Sequence, residues 1–149
     1  MRIELPITAH LPEDYVESER LRLEMYKRLA EVRSATDIEA VREELADRYG
    51  PLPTAVETLL DVARFRLHAR GHGLTDIVSS GNYIRFAPAD LLESRQLRLK
   101  RLYPGSVIKD TAKLILVPRP RSKTIGGEPP KDGELLAWCT AVITAIFGS

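Results

Sequence analysis

The 149-residue chain holds one cysteine, Cys139, three histidines, three phenylalanines and one tryptophan. A single thiol excludes an internal disulfide and any cysteine-rich zinc site, and it fits a reducing cytosol. An excess of charge of one sign is also missing. The 22 basic and 21 acidic side chains nearly cancel, so no global field points to nucleic acid or an anionic membrane, and such a partner would need a local patch. The N-terminus, MRIELPITAHLP, lacks the apolar core of a signal peptide. The most apolar run, Leu135 to Phe147, is shorter than the roughly 20 residues that a spanning helix needs. A cytoplasmic protein is expected, and no membrane partner.

Catalytic signatures are equally scarce. No G-x-x-x-x-G-K-[ST], G-x-G-x-x-G, H-E-x-x-H or G-x-S-x-G occurs. Ser122–Lys123–Thr124 lacks the upstream glycines that would cradle phosphates. His68 and His72 stand four apart without a carboxylate–histidine signature, among Arg64, Arg66 and Arg70, which favours surface histidines over a metal pair. Cys139 has apolar neighbours, which suits a buried, inert thiol. No catalytic residue, cofactor or metal site is expected in this chain.

What is present is ordinary for a globular protein: 44% hydrophobic and 29% charged residues. The length suits one compact domain, residues 1–149. An opening strand pattern lies within residues 1–12, with Ile3, Leu5 and Ile7 alternating. A helix from Pro12 to about Arg33 carries Leu21, Met25, Leu29 and Val32 as its stripe. A second helix, Asp37 to Tyr49, starts from a Thr36–Glu39 capping box and stops at Gly50–Pro51. A third opens at Pro53 and ends at Gly71 and Gly73. The period then changes to a hairpin, Leu74–Ser80 and Asn82–Ala87, with Ile84 and Phe86 on one face. Pro88 to Leu102 reads as a helix, and Ser106–Asp110 with Lys113–Val117 as a second hairpin. Pro118 to Lys131 reads as a flexible proline-rich loop, and residues 132–147 as a final, largely packed helix. The fold class is α+β, amphipathic helices packed around a small antiparallel sheet.

Two surfaces invite a partner. On the second helix, at about 100° per residue, Ile38, Val41, Leu45 and Tyr49 form one stripe. Ala40, Glu43, Glu44 and Asp47 lie opposite, a small residue framed by three carboxylates. That face suits either solvent or a basic partner. The second surface is basic: Arg95, Arg98, Lys100 and Arg101 on one helix, and Arg119, Arg121 and Lys123 in the loop. It offers phosphate contacts for double-stranded DNA but no interleaved aromatic platform.

The segments RLRLEMYKRLAEVRS, IEAVREELADRYGPLP and VETLLDVARFRLHARGHG, in this order, resemble the C-terminal domain of the bacterial transcription-repair coupling factor, the Mfd family. IELPITAHLPEDYVES is similar to that domain's opening, in which a strand precedes an L-P-x-x-Y segment. The segment L-x-D-R-[YF]-G-x-x-P, here Leu45 to Pro53, together with the upstream Y-K-R-L, carries the resemblance. It implies a parent protein that pushes stalled RNA polymerase off damaged DNA with an ATP- and Mg-dependent translocase and recruits UvrA through a UvrB-like module. The motor motifs are absent here and are expected upstream of Met1. The resemblance also implies a regulatory role in cis: this domain packs on the UvrB-like module, masks its UvrA-binding surface and restrains the motor. Glu44 and Asp47 match positions at which the family makes that clasp onto arginines, while Glu43 and Ala40 extend the patch by geometry.

Overall fold

A computed structural model describes residues 1–120 and 132–148. Among the described residues there are five helices and five strands. In order they are β1 (Arg2–Glu4), α1 (Glu19–Glu31), α2 (Ala35–Tyr49), α3 (Thr54–Gly71), β2 (Asp76–Ser80), β3 (Tyr83–Ala87), α4 (Glu93–Leu102), β4 (Val107–Lys109), β5 (Leu114–Pro118) and α5 (Asp132–Phe147). The α+β expectation holds. The chain gathers into two compact units, a finer division than the one domain expected from length. Ile7–Leu67 forms the helical unit; Met1–Pro6 with His68–Ser149 forms the sheet unit. The junctions fall at Pro6–Ile7 and at Leu67–His68, the second within α3, where no linker marks it in the sequence.

In the helical unit, α1, α2 and α3 surround a core of Leu11, Val16, Met25, Leu29, Ile38, Val41, Leu45, Val56 and Leu60. Helix α1 starts seven residues later than the sequence pattern suggested. Pro12 closes a turn, its carbonyl accepting from the N–H groups of Tyr15 and Val16 at 3.1 and 3.0 Å, and Val16 is fully buried. Ser18 then caps α1, its side chain accepting from Leu21 N–H.

The start of α2 also differs. The cap is Ser34, whose Oγ accepts from Asp37 N–H at 3.2 Å, while Asp37 Oδ2 accepts from Arg33 N–H at 3.0 Å. This arrangement replaces the expected Thr36–Glu39 box: the Ser34 side chain caps two residues earlier, and Asp37 returns a bond to the residue before the cap in place of the cap's own N–H. Glu39 instead reaches Arg64 at 2.7 Å. The other end is as expected: Gly50 sits at φ 89° and its N–H donates to Ala46 O at 3.0 Å.

In the sheet unit the strand order is β1-β2-β3-β5-β4. β2–β3, β3–β5 and β4–β5 are antiparallel as anticipated. β1 is not: it runs parallel to β2, with Ile3 opposite Ile77, so the sheet is mixed. The connection between them holds α1, α2 and α3, the long crossover a parallel pair requires. The first hairpin turns at Gly81–Asn82, where Gly81 takes φ 59°. Ile84 and Phe86 are both fully buried on one face, with Ile77, Ile115 and Val117. Helix α5 buries Leu135, Leu136, Cys139, Val142, Ile143 and Ile146, and Trp138 and Phe147 approach Phe86 at 6.4 and 6.5 Å between ring centroids. Helix α4 begins at Glu93, not Pro88. Residues 88–92 are drawn out of helical geometry as Ala89, itself buried, donates its N–H to Lys113 O at 2.7 Å. Among the described residues no helix is long and apolar enough to cross a membrane.

Candidate docking face on the second helix

The carboxylates of α2 divide into those used internally and those left outward. Asp37 serves the cap, and Glu39 is paired with Arg64, which also holds Asp61 at 2.9 Å. On the same flank Arg42 is ion-paired with Glu57 of α3, and that bond holds the Glu57 carboxyl below its ordinary range despite some burial. Glu44, one of the expected site residues, is half-buried and engaged. Its Oε2 accepts from Arg28 Nη1 of α1 at 2.5 Å, with Arg48 Nη1 at 3.9 Å. Glu43 and Asp47 are exposed and have no hydrogen bond or ion pair among the described residues. Ala40, one turn earlier, is exposed too. The stripe Ala40–Glu43–Asp47 is thus open to solvent, and Glu44 borders it through its bond to α1.

Next to Ala40 is a shallow groove of about 210 Å³ lined by Arg28, Glu31, Val32, Asp37, Ala40 and Val41. A side chain larger than alanine would stand at its edge. Both ends of α2 are anchored, which keeps the stripe in register. The C-terminal end is held by a device that the sequence alone did not reveal. Tyr15, from the L-P-x-x-Y segment, donates its hydroxyl to the carbonyls of Gly50 and Leu45 at 2.9 and 3.2 Å, satisfying acceptors that a helix end leaves open. Its ring lies 5.7 Å from that of Tyr49, over which Arg48 sits at 5.4 Å. Leu45, Arg48, Tyr49 and Gly50 of the L-x-D-R-Y-G segment are therefore occupied with structure, and Asp47 alone of its polar side chains points outward unpaired.

The basic helix is committed differently. Arg95 and Arg98 both donate to Ala145 O, at 3.2 and 3.1 Å, in the last turn of α5, where cations complement the helix dipole. Lys100 donates to Ser106 O at 2.5 Å. Arg101 and Arg119 are exposed; Pro118, expected to open the flexible loop to Lys131, instead ends β5 opposite Tyr83, and Arg121 and Lys123, with the rest of residues 121–131, lie outside the described residues. The two histidine rings lie 4.7 Å apart, tilted by 59°, with His68 Nε2 3.3 Å from Thr144 Oγ1 and His72 Nδ1 2.9 Å from His68 O. Cys139 is fully buried, and desolvation pushes its thiol up to about 12, so it is protonated and inert at neutral pH.

A helical unit that carries an open acidic stripe and a unit built on a five-stranded mixed sheet define an α+β domain. The solved C-terminal domain of a transcription-repair coupling factor shares this fold, with a TM-score of 0.72 at 21% identity, covering 99% of this chain and 88% of that one. The family model of the TRCF domain matches residues 5–98, and the chain belongs to that family. It is 46% identical over 99% of its length to the transcription-repair-coupling factor of Mycobacterium tuberculosis. It is also 37% identical to that of Escherichia coli over 57% of its length and 35% identical to that of Staphylococcus epidermidis over 57%. The chain spans about 12% of the length of the mycobacterial relative.

Proposed function

We propose that this chain is the regulatory domain of a transcription-repair coupling factor and contributes no chemistry of its own. It packs in cis on the UvrB-like module, masks the surface that UvrA uses and restrains the ATP- and Mg-driven translocase that displaces stalled RNA polymerase from DNA. One observation carries the reading: α2 spends Asp37, Glu39 and Glu44 on internal partners and leaves Ala40, Glu43 and Asp47 as an open, rigidly held stripe. Carboxylates on a fixed helix suit an arginine-bearing surface, where charge pairs set orientation and specificity more than raw affinity.

Exposed pairs of this kind contribute ~0.2–1 kcal/mol each. A tethered contact needs no more, because tethering raises the effective concentration to about the millimolar range. Release then follows when the motor engages polymerase and the open state is favoured. Three of the four helix cations that a DNA-binding role would use already hold backbone carbonyls, which favours the docking role over the alternative of an accessory duplex-DNA domain.

The test places Glu43→Arg with Asp47→Arg in a full-length coupling factor carrying this chain as its TRCF domain. Neither residue has an internal partner to lose, so the domain stays folded. UvrA binding in the absence of polymerase should rise, and basal ATPase with it. If both stay unchanged, the clasp is elsewhere or absent.

A further inference from the structure

We propose that Arg28 is a built-in competitor of the docking face, holding Glu44 away from the partner's cations and keeping the clasp weak enough to release. This rests on the docking role just described and adds the residue that tunes it. Arg28 belongs to the Y-K-R-L segment of α1, whose neighbours Tyr26 and Leu29 have structural tasks: the Tyr26 hydroxyl accepts from Leu11 N–H at 2.7 Å and Leu29 is in the core.

Arg28 itself is 42% exposed at its side chain and crosses to α2. Only Nη1 is used, bonding Glu44 Oε2 at 2.5 Å with Met25 Sδ 3.9 Å away. Nη2 and Nε have no partner among the described residues, so the guanidinium is held by one edge. A fork-to-fork guanidinium–carboxylate pair is stronger than such a single bond. An arginine arriving from outside can therefore take Glu44, and Arg28 swings aside by side-chain rotation alone, a fast motion that moves no backbone.

Position makes this matter. Arg28 also lines the groove beside Ala40, at the edge of the stripe on which a basic surface would settle. Docking must either displace Arg28 from Glu44 or leave its positive charge facing the partner's arginines. Both oppose docking. The second cation near Glu44, Arg48, is farther off at 3.9 Å and already lies over the Tyr49 ring, so Arg28 is the effective competitor.

The sign of the effect separates competition from plain structural support. In a full-length coupling factor carrying this chain, Arg28→Gln should lower binding of purified UvrA, measured without polymerase, by about 1.4- to fivefold, the factor that one exposed ion pair converts to. Arg28→Met, which keeps an aliphatic stem on α1, should do the same, and Arg28→Lys should stay near the unaltered protein. Unchanged or increased UvrA binding in Arg28→Met, with the helical unit still folded by far-UV circular dichroism, overturns the proposal. Should Arg28→Gln unfold the helical unit, UvrA binding would rise instead, and the Arg28→Met result decides. If Glu43→Arg with Asp47→Arg unmasks UvrA while the Arg28 variants change nothing, the competitor fails and the docking face stands. If neither set has an effect, the docking reading itself fails.

Discussion

Glu44 and Asp47 lie three residues apart on α2, yet reversing their charges should move the stability of the chain in opposite directions. Glu44→Arg removes the bond to Arg28, worth ~0.2–1 kcal/mol for a pair this exposed. It also sets a third cation beside Arg28 and Arg48, and at separations of about 5 Å in water-like surroundings each like-charge neighbour adds roughly 0.8 kcal/mol before screening. Together these come to a loss of about 2–2.5 kcal/mol, which salt screening reduces. Asp47 has no such partner and sits in the last turn, three residues before Gly50. Exchanging a negative for a positive charge there improves the interaction with the helix dipole by ~0.3–1 kcal/mol, so Asp47→Arg should leave the chain equal or slightly more stable. Urea unfolding of the 149-residue chain at low salt, followed by far-UV circular dichroism, gives the comparison. Trp138 fluorescence serves as an internal control, because the one tryptophan lies in the sheet unit. Equal losses in the two variants, or a greater loss for Asp47→Arg, would refute the division of the acidic face into engaged and open carboxylates.

Two further outcomes follow from local geometry. Ser34→Ala should cost ~1 kcal/mol, the usual loss of a side-chain N-cap, whereas Thr36→Ala should stay within about 0.5 kcal/mol; thermal melts of both variants check this, and the reverse order would restore the Thr36 cap. Desolvation, and then the charge of His72, lowers the His68 pKa below its ordinary 6.5. Below that value the unfolded chain binds more protons than the folded one, so stability falls as pH drops from about 6.5 and levels off below the folded pKa. His68→Gln should flatten that slope in urea titrations between about pH 5 and 7.5, and an unchanged slope would mean other groups carry it.

The helices and hairpins were legible because their apolar spacing is regular: Ile38, Val41 and Leu45 all lie in the core, as do Ile84 and Phe86. The starts of α1 and α4 were not, because Pro12 and Pro88 look like helix openings, whereas Pro12 O closes a local turn with Tyr15 and Val16 and a long-range bond from Ala89 N–H to Lys113 O holds the segment after Pro88 out of a helix. The parallel placement of β1 depends on where Ile3 finds Ile77, a pairing across more than seventy residues that no local pattern encodes. On α2 the 3.6-residue period grouped Ala40, Glu43, Glu44 and Asp47 away from the core stripe, and the same period hid that Glu44 is half-buried and spoken for. Arg28 is sixteen residues from Glu44 in sequence, and only the crossing of α1 and α2 joins them. Tyr15 was visible as part of a family motif, but its service to the end of α2 came from the fold.

The most direct test of the central claim is a charge-swap rescue in a full-length coupling factor carrying this chain. Asp47→Arg with Glu43→Arg should raise UvrA binding without polymerase, and reversing the arginines on the UvrB-like module to glutamates in the same protein should restore the masked, low-binding state. Enhanced binding that the second reversal leaves unaltered, or no enhancement at all, would contradict a clasp made by the open stripe of α2.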